Sequence, residues 1–69
     1  MIDPLERRFL VEQERMDRQH GEYLIRLAKT VESRLYQNWW TRDGQQAIAS
    51  ADRIKQMLTE DEHERANSI

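Results

Sequence analysis

The 69-residue sequence carries 11 basic and 13 acidic residues for a net charge of −2, with two glycines, one proline and no cysteine. A chain this short holds one small domain whose single core leaves a monomer marginally stable, and without cysteine there are no disulfides or thiolate metal sites to help. Oligomerisation or a partner is the remaining staple, in a setting that the cysteine-free composition assigns to the cytoplasm. The N-terminal MIDPLERRFL lacks the apolar core of a secretory signal and no 18 apolar residues run together, so neither export nor a membrane span is expected. Charged residues make up 35% of the chain with the two signs interleaved, and the palette of Glu, Arg, Gln, Leu and Ala with few turn formers predicts an all-α protein.

The first helix has a clear start: Asp3 is placed to cap, Pro4 suits the first helical position and Glu6 completes a capping-box spacing. Side chains at Leu5, Phe9, Met16, Tyr23, Leu27, Val31 and Leu35 then recur near a 3.6 period. The stretch from Glu12 to Glu22 is thin and contains Gly21, which allows a break into two helices after His20; a lone glycine is a poor terminator, so one long helix over about 4–39 is preferred. TRDGQQ is the convincing turn, at about 40–44, with Thr41 or Asp43 capping a second helix over about 45–60.

Leu24, Ala28, Val31 and Leu35 step by four, three and four, as do Ala47, Ala51, Ile54 and Leu58. Matching seams on either side of a turn predict an antiparallel two-helix hairpin over residues 1–58, which completes its core by dimerising into a four-helix bundle. Residues 59–69, TEDEHERANSI, read as an acidic, fraying tail.

A wheel drawn from Pro4 to Trp40 as one helix puts Phe9, Met16, Tyr23, Leu27 and Val31 inside and a basic back opposite. Mixed into that back are apolar and aromatic residues, so the candidate partner-binding stripe is Val11, Arg15, Arg18, Ile25, Lys29, Tyr36 and Trp40, with Trp39 turned towards the hairpin seam. The plain alternative is a solvated helix face with ordinary isolated apolar residues. Trp, Tyr and Arg are the types enriched at interface hot spots, which favours a contact surface for a homodimer or for a protein partner with an acidic or apolar surface.

The same mixture of cations and aromatics suits a nucleic-acid-binding regulator of the small plasmid or phage type, the runner-up reading. The slightly acidic balance and the lack of a helix-turn-helix or Cys/His finger signature count against it. An enzyme is not expected: the histidines are His20 and His63, and a hairpin offers little concavity to exclude water from a small-molecule substrate. Glu60-x-x-His63 has a metal-ligand spacing and would approach Glu22 and His20 if Leu35 paired with Ala47, but such pairs arise often in charged helices. No metal or cofactor is therefore assigned. Dimerising helical hairpins occur among small plasmid and phage regulators and secretion chaperones, a likeness of architecture that carries no residues across.

Overall fold

The computed structural model describes residues 2–67, and these form two helices joined by a three-residue turn. Helix α1 spans Pro4–Thr30 and α2 spans Arg34–Asn67, packed antiparallel as a hairpin 55 Å long. The helical hairpin expected from the residue pattern is thus the observed architecture.

Helix α1 starts where its capping signals place it. The Asp3 side chain accepts a hydrogen bond from the Leu5 amide at 3.1 Å, its carbonyl accepts from the Arg7 amide at 2.8 Å, and Pro4 occupies a position whose amide would otherwise be unpaired. No interruption occurs at Gly21, so the helix is continuous there.

The turn lies at residues 31–33, not at 40–44, so α1 ends nine residues earlier than expected and TRDG is interior to α2. Val31 leaves the helix in an extended conformation, φ −91° and ψ 141°, and its carbonyl accepts from Gln37 Nε2 at 2.6 Å. The Thr30 hydroxyl donates back to the Leu27 carbonyl at 2.8 Å, and the Ser33 carbonyl accepts from the Gln37 amide at 3.0 Å. Two successive β-branched residues, Thr30 and Val31, end one helix, and Ser33 precedes the next, without glycine.

Gly44 is free of turn duty because the helices need it elsewhere. A Cβ on Gly44 would lie 2.7 Å from the Gly21 carbonyl oxygen and 2.7 Å from Ile25 Cγ1; one on Gly21 would lie 2.6 Å from the Gly44 carbonyl oxygen and 2.7 Å from Ile48 Cγ1. The two backbones touch, and only hydrogen fits between them. Neither glycine has positive φ, so the requirement is space and not conformation.

That contact sets the phase of both helices. Residues on the seam recur every seven positions, through Arg7, Glu14, Gly21 and Ala28 in α1 and Gln37, Gly44, Ala51, Leu58 and Arg65 in α2, the spacing of coiled-coil packing. Leu24, Ala28, Val31, Ala47, Ala51, Ile54 and Leu58 are buried or half-buried as expected, whereas Leu35 is exposed at the start of α2. The seam is narrow: its fully buried apolar residues are Ala28, Ala51 and Leu58, and among the described residues no large side chain is completely enclosed.

Phe9, Met16 and Tyr23, expected inside, instead point away from α2 with exposures of 66%, 56% and 56%. Each lies two positions past a seam residue, which on a helix is nearly the opposite side. One hairpin can bury one stripe of α1, and close approach at Gly21 selects the stripe of small residues.

The far end of the rod is closed by polar contacts, and the segment expected to fray is helical through Asn67. Ser68 and Ile69 of that expected tail lie outside the described residues. Asp61, only 3% exposed, accepts from the Ile2 amide at 2.7 Å and from Arg7 Nη1 at 2.9 Å, and pairs with Arg65 Nε at 3.1 Å. Arg65 also donates to the Ile2 carbonyl at 2.6 Å, and Arg7 pairs with Glu62. The Ile2 amide first, then the Arg65 and Arg7 charges, holds the Asp61 carboxyl below its ordinary range.

Replacing either glycine by alanine is expected to destabilise the hairpin by about 1–3 kcal/mol through overpacking, although alanine is intrinsically the better helix former by about 1 kcal/mol. Urea denaturation of Gly21→Ala and Gly44→Ala at one fixed protein concentration measures this, and a gain in stability would contradict the seam.

A carboxyl whose pKa is lower folded than unfolded stabilises fully above the ordinary carboxylate range and loses that contribution as pH falls through its depressed value. Asp61→Asn is therefore expected to melt lower than the parent at neutral pH, with the gap narrowing on acidification. Thermal melts followed by circular dichroism from pH 7 to pH 2 test it.

Candidate interaction surface

With the seam defined, each helix presents two flanks, and because the helices are antiparallel the flanks align into two long faces of the hairpin. One face is polar. Here Arg18 Nη2 meets Asp52 Oδ1 at 2.9 Å across the helices and Glu14 Oε1 at 3.4 Å within α1, while Arg15 pairs with Glu12. The Asp52 hydrogen bond, followed by that of Glu14, raises the Arg18 pKa further and keeps it charged. Near the turn this face holds a solvent-open groove of about 470 Å³, lined by Ile25, Ala28, Lys29, Gln37, Asn38, Thr41, Arg42 and Gln45.

The opposite face is apolar at both ends. Towards the turn lie Leu24, Leu27, Val31, Tyr36 and Trp40, all half-buried except the exposed Tyr36, with Tyr23 and Trp39 at the rim. The Tyr36 ring centroid is 5.6 Å from that of Trp40 and 6.5 Å from that of Trp39, tilted in both cases, so the three rings form one cluster. Towards the chain ends lie Leu10, Ile54 and the exposed Met57, with Phe9 at the rim. Between these patches the face has a polar waist, where Ser50 Oγ donates to Asp17 Oδ2 at 3.3 Å and Gln13 Nε2 donates to Asp17 Oδ1 at 2.9 Å.

The stripe inferred from the wheel is divided between these faces. Val11, Arg15, Arg18, Ile25 and Lys29 belong to the polar side, where Ile25 is half-buried against Gly44 and Arg18 is held by Asp52. Tyr36 and Trp40 belong to the apolar side. The two tryptophans also exchange places: Trp40 is half-buried beside the seam, and Trp39 is 59% exposed. The wheel carried one phase from residue 4 to residue 40, but the turn at 31–33 starts a new helix whose phase is set by Gly44, four residues after Trp40.

The same register separates the residues considered for metal binding. Asp61 pairs with Arg7 at the open end, so Glu60 and His63 lie there too, whereas His20 and Glu22 flank the Gly21–Gly44 contact. Among the described residues no group of three His, Asp or Glu side chains comes together as a metal site, and no helix is long and apolar enough to cross a membrane.

Two features escaped the sequence reading. The clamp on Asp61 was masked by residue type: the steps through Ala47, Ala51, Ile54 and Leu58 continue to Asp61 and Arg65, but both are charged residues in a charged run. The crossing left a trace in spacing: Gly21-x-x-x-Ile25-x-x-Ala28 and Gly44-x-x-x-Ile48-x-x-Ala51 share one pattern, and the midpoint between the glycines falls in the observed turn. No protein-family model matches the chain, and no match is found to a curated protein or to a solved structure.

Placement of the indoles is checked by fluorescence. With Trp40→Phe, the remaining Trp39 is expected to emit at longer wavelength and to be quenched more strongly by acrylamide than the remaining Trp40 of a Trp39→Phe variant. The reverse order would contradict the phase of α2.

Proposed function

We propose that the protein is a non-enzymatic helical interaction module that works in the cytoplasm by packing its apolar face against helices of a protein. The observation that carries this reading is the mismatch between what the hairpin buries and what it leaves exposed. Among the described residues nine large apolar or aromatic side chains are exposed, against a buried apolar core of two alanines and one leucine. Single apolar residues on a surface need no explanation, but here the aromatic cluster and the Leu10, Ile54 and Met57 patch share one face.

The electrostatics of the other face argue against nucleic acid as the partner. Two cations of the polar face, Arg15 and Arg18, are already paired with Glu12, Glu14 and Asp52, and with 13 acidic residues against 11 basic the chain has no net positive charge to draw a phosphate backbone. Surface pairs of this kind contribute little stability, yet they occupy the guanidinium groups that phosphate contacts would require. Cysteine-free composition is the ground for the cytoplasmic assignment.

The double variant Leu27→Glu/Met57→Glu places a charge in each apolar patch and is expected to abolish complexes formed by the parent chain, while Arg15→Ala leaves them intact. Chemical cross-linking in the expressing cells, with helicity confirmed by circular dichroism, reads both. Complexes that survive the double variant but disappear with Arg15→Ala would refute the assignment of the face.

A further inference from the structure

Resting on that reading of the apolar face, we propose that its occupant is a second copy of this chain, laid face to face and reversed end for end. Each turn then lies over the open end of the other rod, and the pair forms an antiparallel four-helix bundle.

The rod exposes more surface than so short a chain needs. The chain exposes 5697 Å² where a compact monomer of 8.4 kDa exposes about 4,600 Å². Its radius of gyration is 15.7 Å, against about 11 Å for a globular domain of this length. The 55 by 18 Å outline of the face offers about 1,000 Å² to a partner, and two such faces together reach the upper part of the 1,200–2,000 Å² that stable interfaces bury. A second rod of equal length covers that surface from end to end.

The pattern along the face is balanced about its middle. Its two apolar patches, around Leu27 and Tyr36 at one end and around Leu10 and Met57 at the other, flank the polar waist at Asp17 and Ser50, close to the middle of both helices. Reversing a copy about the waist lays each patch on the other and sets waist against waist. A partner that laid apolar side chains over the waist would bury Asp17 at a desolvation cost, whereas a second copy meets it with the polar groups of its own waist, Gln13 and Ser50 among them.

Charge chooses between the two face-to-face orientations. Between the waist residues Asp17 and Ser50, the turn half, there are five basic and three acidic residues; beyond them, the open half, there are six basic and nine acidic. Parallel copies would stack the acidic halves on each other. Reversed copies set each acidic half over a slightly basic one, and such complementarity selects orientation even where it adds little affinity.

The absence of cysteine permits clean labelling of the full chain. Glu32→Cys, exposed in the turn, carries a nitroxide for pulsed electron resonance, with light scattering on the same purified sample. Expected are a mass of two copies and one intermolecular distance of about 40–55 Å, comparable to the rod length. Copies labelled at Glu32→Cys mixed with copies labelled at Asn67→Cys are expected to give a short distance, below about 25 Å, since helices pack within roughly 10 Å of each other. A short Glu32–Glu32 distance would overturn the reversed orientation, and a monomeric mass would overturn the second copy. The two readings fail separately: a monomeric purified chain whose cellular complexes still depend on Leu27 and Met57 removes self-pairing alone.

Discussion

The direct contact between the backbones at Gly21 and Gly44 governs the rest of the molecule. Each glycine leaves room for the other's carbonyl oxygen and for an isoleucine of the facing helix, so the two backbones come into direct contact there. From that point the seam continues through Ala28 and Ala51, residues small enough to keep the backbones near each other. A seam so narrow cannot accept Phe9, Met16 or Tyr23, and the rotation that places glycine inward turns these side chains outward. The exposed apolar surface thus follows from how the hairpin is packed. A glycine within a helix costs about 1 kcal/mol relative to alanine, and the contact at the crossing is what offsets it.

The two faces that result differ in how far their chemistry is already satisfied. On the polar face several charges answer one another across and along the helices, as Arg18 does with Asp52 and Glu14 and Arg15 with Glu12. The apolar face has no such internal resolution, since Tyr36 contacts Trp39 and Trp40 but the cluster leaves broad ring surfaces open. Hydrophobic burial grows with the area removed from water, so this face has far more to gain from association than the charged one.

Much of the architecture was legible in the sequence because it is written in periodicity. The cap at Asp3 and Pro4, the helical composition, and the steps through Ala47, Ala51, Ile54 and Leu58 all depend on local spacing, and all appear in the structure. The turn was misplaced because Asp43-Gly44 carries strong local turn chemistry, while Gly44's tertiary role depends on a residue 23 positions away. That single displacement propagated to the candidate site. It merged two helices into one wheel, exchanged Trp39 with Trp40, and joined Arg18 and Ile25 to Tyr36 in a stripe whose members occupy opposite faces. Asp61 was missed for a different reason: its position continues the seam period, but a carboxylate there reads as solvated unless the amide and guanidinium groups that the fold brings to it are known.

The clamp that joins Ile2 to Asp61 and Arg65 also settles where the chain enters and leaves the rod. Both strands of the polypeptide are gathered at one tip, and the tip that carries Glu32 is a smooth, uninterrupted bend. Any passenger fused at residue 2 or beyond residue 67 would therefore sprout from the same pole, some 55 Å from the bend, with the apolar flank between them left unobstructed.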